Sequence, residues 1–113
     1  MHELSLAASM LETIGERLGG KRALTKVHLT VGMLSGVAPE ALEFCFPMLA
    51  EEEGFGKPVM VIAREKARAE CGACGKKYGM ESAYTLCPGC GSLERKILSG
   101  KRFTLDAVEV EDV

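Results

Sequence analysis

The sequence has no tryptophan, two tyrosines and four phenylalanines, so aromatic packing has little to build with. It has two histidines, neither close in sequence to its clustered cysteines. There is no nucleophile set beside a base and no phosphate-cradling glycine loop, so enzyme chemistry has little to stand on. No apolar run approaches the roughly 20 residues that span a bilayer. The start of the chain carries Glu3 ahead of its apolar stretch and lacks a basic leader, which argues against a secretory signal. An excess of positive charge is missing too. The formal net charge is −2, the wrong sign for a general nucleic-acid binder. What these absences leave is a reduced, cytoplasmic protein whose expected partners include no nucleic acid and no membrane. Its 113 residues suffice for one small core plus a metal-held insert.

What is there is cysteine in a pattern. Cys71-Gly72-Ala73-Cys74-Gly75 and Cys87-Pro88-Gly89-Cys90-Gly91 are two Cys-x-x-Cys knuckles, with the twelve residues 75–86 between Cys74 and Cys87. A tight turn lets both sulfurs of a knuckle reach one ion, and the glycine that follows lets backbone amides turn toward them. Four thiolates suit tetrahedral Zn²⁺. Three other readings use the same residues. Two disulfides need an oxidising compartment, to which nothing here points. A redox dithiol uses one such pair beside a βαβ unit. A rubredoxin-like iron site shares the Cys-Pro-x-Cys-Gly knuckle but has a longer spacer and more aromatic packing than Tyr78 and Tyr84 supply. Structural zinc fits the donor set best. With four sulfurs on the metal, no position stays open for catalysis. Zinc would bring the net charge to −4, from the −2 of the side chains.

Around this insert the chain reads as α+β. Leu4, Ala7, Ala8, Leu11, Ile14 and Leu18 follow helical spacing, which predicts a helix over 4–18 with Glu12, Glu16 and Arg17 in water, stopped by Gly19-Gly20. Val27, Leu29 and Val31 alternate with polar residues in a half-buried strand over 23–32. Pro39 opens a second helix whose apolar face is Leu42, Cys45, Phe46 and Leu49. Pro47 inside it predicts a kink or an early break. Val59 to Ala63 reads as a buried strand that continues as a polar ribbon into the insert, and a last strand covers 103–111. The expected fold is a three-stranded mixed sheet with two helices on one face, plus a zinc-ribbon-like insert. The first two strands are parallel and the last is antiparallel to the second. The division is 1–69 with 101–113 as one unit and 70–100 as the four-cysteine unit.

Most other polar residues have plain readings. His28 is a solvated side chain on a strand. Cys45 is a buried, inert thiol with nothing nearby to activate it. Glu40 complements the dipole at a helix start. Glu51 to Glu53 form a solvated acidic face, and Tyr78 and Tyr84 pack over the knuckles. Met1-His2-Glu3 has a plain reading too, an incidental histidine on a frayed terminus, and beside it a chemical one. The terminal amine, the His2 amide and the His2 imidazole close a five- and a six-membered chelate ring, and the Glu3 amide completes a planar nitrogen set. Such sets suit Ni(II) and Cu(II).

Met1-His2-Glu3-Leu4-Ser5, an α+β base and a late double Cys-x-x-Cys insert together resemble the HypA family of nickel-insertion accessory proteins for nickel–iron hydrogenase and, in some bacteria, urease. The resemblance runs the length of the chain, including the Val31-Gly32 turn and the Pro39-Glu40 helix start. It implies a nickel metallochaperone and not an enzyme, with Zn²⁺ as a structural ion on Cys71, Cys74, Cys87 and Cys90. It implies Ni²⁺ as transported cargo at the amino terminus, through Met1, His2 and Glu3, with Glu40 at or near that site. The implied partners are a HypB-type GTPase and the hydrogenase large subunit or urease accessory proteins. Because the first helix leads directly from the terminus, docking of the GTPase is expected on that helix near the terminus and not on the zinc knuckles. The expected state is a monomer or weak homodimer. One departure is visible. Some members place a histidine beside a zinc cysteine, where this chain has Gly75 and Gly91. The alternative reading is a zinc-ribbon interaction module with no transition-metal cargo of its own.

Overall fold

Helix α1 runs from Glu3 to Leu18 because apolar side chains recur on one stripe, and Ala7, Met10, Leu11 and Ile14 are buried along it. The stripe is rotated from the one expected. Met10 joins the core, whereas Leu4 and Ala8 lie in solvent. Gly19 ends the helix at φ 75°, and the N–H of Gly20 reaches back to the Gly15 carbonyl at 2.9 Å. A left-handed residue there is cheap only for glycine. This computed structural model describes residues 3–111.

Strand β1, Leu24–Gly32, points Val27, Leu29 and Val31 into the core. Helix α2, Pro39–Glu52, then crosses to β2, Val59–Glu65, which pairs parallel to β1. Helix α2 contains Pro47 yet carries on to Glu52, so of the kink or early break expected the break does not occur. Pro47 withholds a hydrogen bond from the carbonyl of Glu43, whose residue is exposed, so water takes its place. Meanwhile Leu42, Phe46 and Ala50 are fully buried and hold the helix down on both sides of the proline.

Strand β2 is also not the buried strand expected. Met60 and Ile62 pack on the core, but Val59 is 62% exposed and Val61 41%. Both helices cover the same face of the sheet, which leaves the other face to water. The last strand, which we label β6, spans Phe103–Val110, and the order in this sheet is β2-β1-β6. Strand β6 runs antiparallel to the other two but bonds to β1 alone. The long return through the insert therefore places β6 on the far side of β1, with β1 between it and β2.

Between β2 and β6 lies a second three-stranded sheet. It is made of β3 (Ala67–Cys71), β4 (Lys77–Met80) and β5 (Arg95–Ser99), ordered β4-β3-β5 and fully antiparallel. Its small core is Ala67, Ala69, Cys71, Tyr78, Met80 and Cys87. The two sheets meet closely. A Cβ on Gly32 would lie 2.2 Å from the Gly100 carbonyl oxygen, and one on Gly100 would lie 2.7 Å from Ala67. The N–H of Leu34 donates to that carbonyl at 2.6 Å, and its side chain packs on the second core. The molecule measures 57 × 22 × 19 Å, with the helix–sheet base at one end and the ribbon at the other.

Candidate metal centre

Strand β3 ends on Cys71, and the chain turns at once. The Gly75 N–H donates to the Cys71 carbonyl at 3.0 Å, with Gly75 at φ 80°. The second knuckle repeats this geometry. The Gly91 N–H donates to the Cys87 carbonyl at 2.8 Å, with Gly91 at φ 74°. Each turn frees amides to face a sulfur. Ala73 and Cys74 N–H groups both sit 3.4 Å from Cys71 Sγ, and Gly89 N–H sits 3.4 Å from Cys87 Sγ.

The two knuckles face each other. All four Sγ atoms lie within 4.8 Å of one another. Cys71 Sγ to Cys90 Sγ is 3.5 Å, and Cys74 Sγ to Cys87 Sγ is 3.6 Å. A tetrahedral ion with sulfur at roughly 2.3 Å has sulfur–sulfur edges of about 3.8 Å, so the cage fits zinc with little adjustment. The metal-free sulfurs differ in acidity. The Cys74 N–H, aided by that of Ala73 against the cost of burial, lowers Cys71 to about 6. Burial pushes Cys87 up, but the Cys90 and Gly89 N–H groups outweigh it and leave that thiol lowered. The Ser92 N–H pulls Cys90 down, but the crowding of Cys71 and the other sulfurs, with burial, drives it up to about 12. A cage with one acidic and one reluctant thiol needs a cation before it can hold four thiolates.

The supporting shell was partly legible. Tyr78 is buried in the ribbon core as expected. Tyr84 is 85% exposed and does not pack over the knuckles, because it sits in the loop between β4 and the second knuckle and points to water. Arg95 takes the structural role instead. Its guanidinium donates to the carbonyls of Ala83 and Thr85 and ties that loop to β5. Lys76 lies across the second knuckle, where a Cβ on Gly89 would stand 3.1 Å from its Cδ. Neither residue carries a spacing that a sequence reading could use, since both act through backbone or an aliphatic stem.

At the base, Met1 and His2 lie outside the described residues. Glu3 opens α1, and its carboxylate accepts from the Ala38 N–H at 3.4 Å, where Ala38 caps α2. Gly15 abuts Phe55, just past the far end of α2, so the two helices run side by side and start together. Glu40, in the first turn of α2, accepts from the Arg64 guanidinium at 2.7 Å. Its own backbone N–H, then Arg64, hold its carboxyl below the usual range. Cys45 is half-buried rather than buried, and desolvation pushes its thiol up, with the nearby Glu3 charge adding to this, which fits an inert thiol. His28 is not free in solvent. Its Nε2 lies 2.7 Å from Glu109 on the open face of the first sheet. Among the described residues, the four cysteines are the one group of three or more potential ligands gathered around a point.

Residues 1–110 match a family model described as hydrogenase/urease nickel incorporation, metallochaperone, hypA. A hydrogenase maturation factor HypA from Geobacter metallireducens is 37% identical over 98% of this chain and 100% of its own. One from Aquifex aeolicus is 38% identical over 98% of each chain. The solution structure of the Ni metallochaperone HypA from Helicobacter pylori superposes with a TM-score of 0.60 over 97% of each chain, at 23% identity.

Proposed function

The chain belongs to the HypA family of nickel metallochaperones and maturation factors, and from that premise we propose that it binds Ni(II) at its amino terminus and delivers it for maturation of a nickel–iron hydrogenase or urease. The observation that carries this reading is the tie between Glu3 and the start of α2. It brings the first turn of α1, which the terminus precedes, beside the first turn of α2, which holds Glu40. The first N–H groups of a helix have no partner inside it. The Glu3 amide is therefore not consumed by α1 and is available as a nitrogen ligand. With the Met1 amine and the amide and imidazole of His2, it makes a planar set of four nitrogens. Glu40 adds negative charge at that end, directly or by hydrogen bonding to a ligand.

In this reading the ribbon is structural. Cys71, Cys74, Cys87 and Cys90 hold Zn²⁺, which supplies folding energy and no chemistry. The functional division is 1–69 with 101–113 for nickel and 70–100 for zinc. The protein is a cytoplasmic carrier, not an enzyme, and a monomer or weak homodimer. It exchanges cargo with a HypB-type GTPase and the hydrogenase large subunit, docking through the exposed α1 residues Glu12, Glu16 and Arg17.

Calorimetric nickel titration of untagged, N-terminally extended and His2→Ala proteins, with zinc quantified in each, tests the terminal site. Extension and His2→Ala each abolish tight nickel binding and leave zinc in place. Affinity for the untagged protein rises with pH through about 6.5 to 8, as imidazole and amine lose their protons. Nickel binding that survives extension removes the amine from the ligand set and overturns the terminal site, whereas no nickel binding by the untagged protein favours the interaction-module reading.

A further inference from the structure

Charge is divided between the two ends of the molecule. Residues 66–102 hold eight Lys and Arg against three Asp and Glu, a formal +5, whereas the rest of the chain holds six against thirteen, a formal −7. Four thiolates and a divalent ion on the knuckles still leave the ribbon at +3. The near-zero total conceals this, because the two ends cancel.

Much of the positive charge lies on one surface. Strands β3, β4 and β5 turn Ala67, Ala69, Tyr78, Met80 and Ile97 inward to the ribbon core. Their alternate residues face out. Arg68, Lys77, Lys96 and Leu98 are exposed there, and Glu70 is half-buried among them. The register sets Glu70 between Lys77 on β4 and Lys96 on β5, and Arg68 beside Gly79. Among the described residues, Lys66, Arg68, Lys76, Lys77, Lys96 and Lys101 make no ion pair, whereas the base pairs Lys21, His28 and Arg64 with its own acids. Among the described residues, no helix or loop covers this face of the second sheet. It is an open, cationic strand surface with a bare glycine and one exposed leucine.

We propose that this outer face of the ribbon docks an acidic polypeptide segment of a maturation partner, as a second contact separate from the α1 surface of the base. The proposal rests on the family's role in maturation, not on the terminal nickel site. Charge complementarity selects an anion. Three features favour a polypeptide over nucleic acid. Glu70 sits in the middle of the face, under any continuous run of phosphates, while spaced carboxylates can straddle it. The face has no aromatic side chain on which a base could stack. Leu98 and Gly79 give an apolar contact and a close backbone approach, which suit a polypeptide.

The test uses the zinc-loaded full chain, a fluorescein-labelled dodeca-glutamate peptide and a single-stranded DNA 12-mer. The peptide binds at low salt and more tightly than the DNA. Lys77→Glu with Lys96→Glu weakens peptide binding at least ~10-fold, while zinc content and nickel binding stay as in the parent. Arg22→Glu with Lys57→Glu, on the base, has a much smaller effect. Absence of peptide binding, tighter binding of the DNA, or equal losses in both double variants overturns the proposal. So does low-salt self-association in sedimentation that the ribbon variant abolishes, because the face would then be occupied by the acidic base of a second copy.

Discussion

The base and the ribbon are both small sheets with one buried face, yet they are held together differently. The base buries twelve hydrophobic residues, including Phe46, Ile14, Leu29 and Leu42 at 2% exposure or less. The ribbon buries six, of which Ala67 and Ala69 are small and Cys71 and Cys87 are knuckle residues. The base rests on the hydrophobic effect, and the ribbon, poorer in apolar volume, is the one expected to need an ion on its four cysteines. Size is not the cause. The ribbon's inner face offers Tyr78, Met80 and Ile97 as its large apolar side chains, and its outer face carries charge.

The largest expected effect separates the two units. Chelation of zinc removes an interaction worth roughly 10–16 kcal/mol in comparable small sites, and Cys74→Ser weakens it by taking away one of four thiolates. Amide exchange should become fast throughout β3, β4 and β5, while α1, α2 and β1 keep their protection. Loss of protection in the helices would mean that the base leans on the ribbon through Leu34 and the Gly32–Gly100 contact. Acid has the same sign of effect. Protons compete with the metal for all four sulfurs, so metal capture should weaken steadily as pH falls.

The converse cut is smaller. Phe46 is fully buried at the centre of α2, and Phe46→Ala should cost about 3–5 kcal/mol through lost transfer energy and the cavity left behind. Urea melts followed by helical circular dichroism measure it. Zinc content near the shifted midpoint should stay at one per chain, because the ribbon's hydrogen bonds and sulfurs do not pass through Phe46. Zinc lost together with the helices would show one cooperative unit.

What the sequence disclosed follows the same division. The knuckles were legible because four cysteines at fixed spacing have few physical solutions. The α+β order and the parallel crossover were legible because the apolar periods are clear. Three features were hidden. Pro47 looked disruptive because local propensity ignores the burial of Phe46 and Ala50 on either side. Val59 and Val61 looked buried because a valine run reads the same on an edge with one open face. Tyr84 looked like a lid because proximity in sequence does not fix direction. At the amino terminus the sequence offered a chelate pattern, and the fold adds the adjacency of Glu3 to the α2 start, which no spacing could announce.

The smallest effect lies where the base hands over to the ribbon. Arg64 is next to last in β2, one residue before Glu65, whose carboxylate accepts from Gly100 N–H at 2.7 Å at the junction. Its pairing with Glu40 therefore links the start of α2 to that junction, but both side chains are more than half exposed. Exposed pairs contribute little to stability. Glu40→Gln should leave the thermal midpoint at neutral pH almost unchanged, and any difference should vanish in acid. The sign follows from the lowered carboxyl. The pairing is complete above the ordinary carboxylate range and is lost as pH falls through the lowered value. Nickel gives the sharper reading. A carboxylate already held by a guanidinium is less available to a cation, so Arg64→Ala should tighten nickel binding a few-fold. The same change in a Glu40→Gln background should have less effect, and what remains should disappear with added salt. Equal tightening in both backgrounds would place Glu40 outside the nickel site and leave Arg64 acting only as a distant like charge.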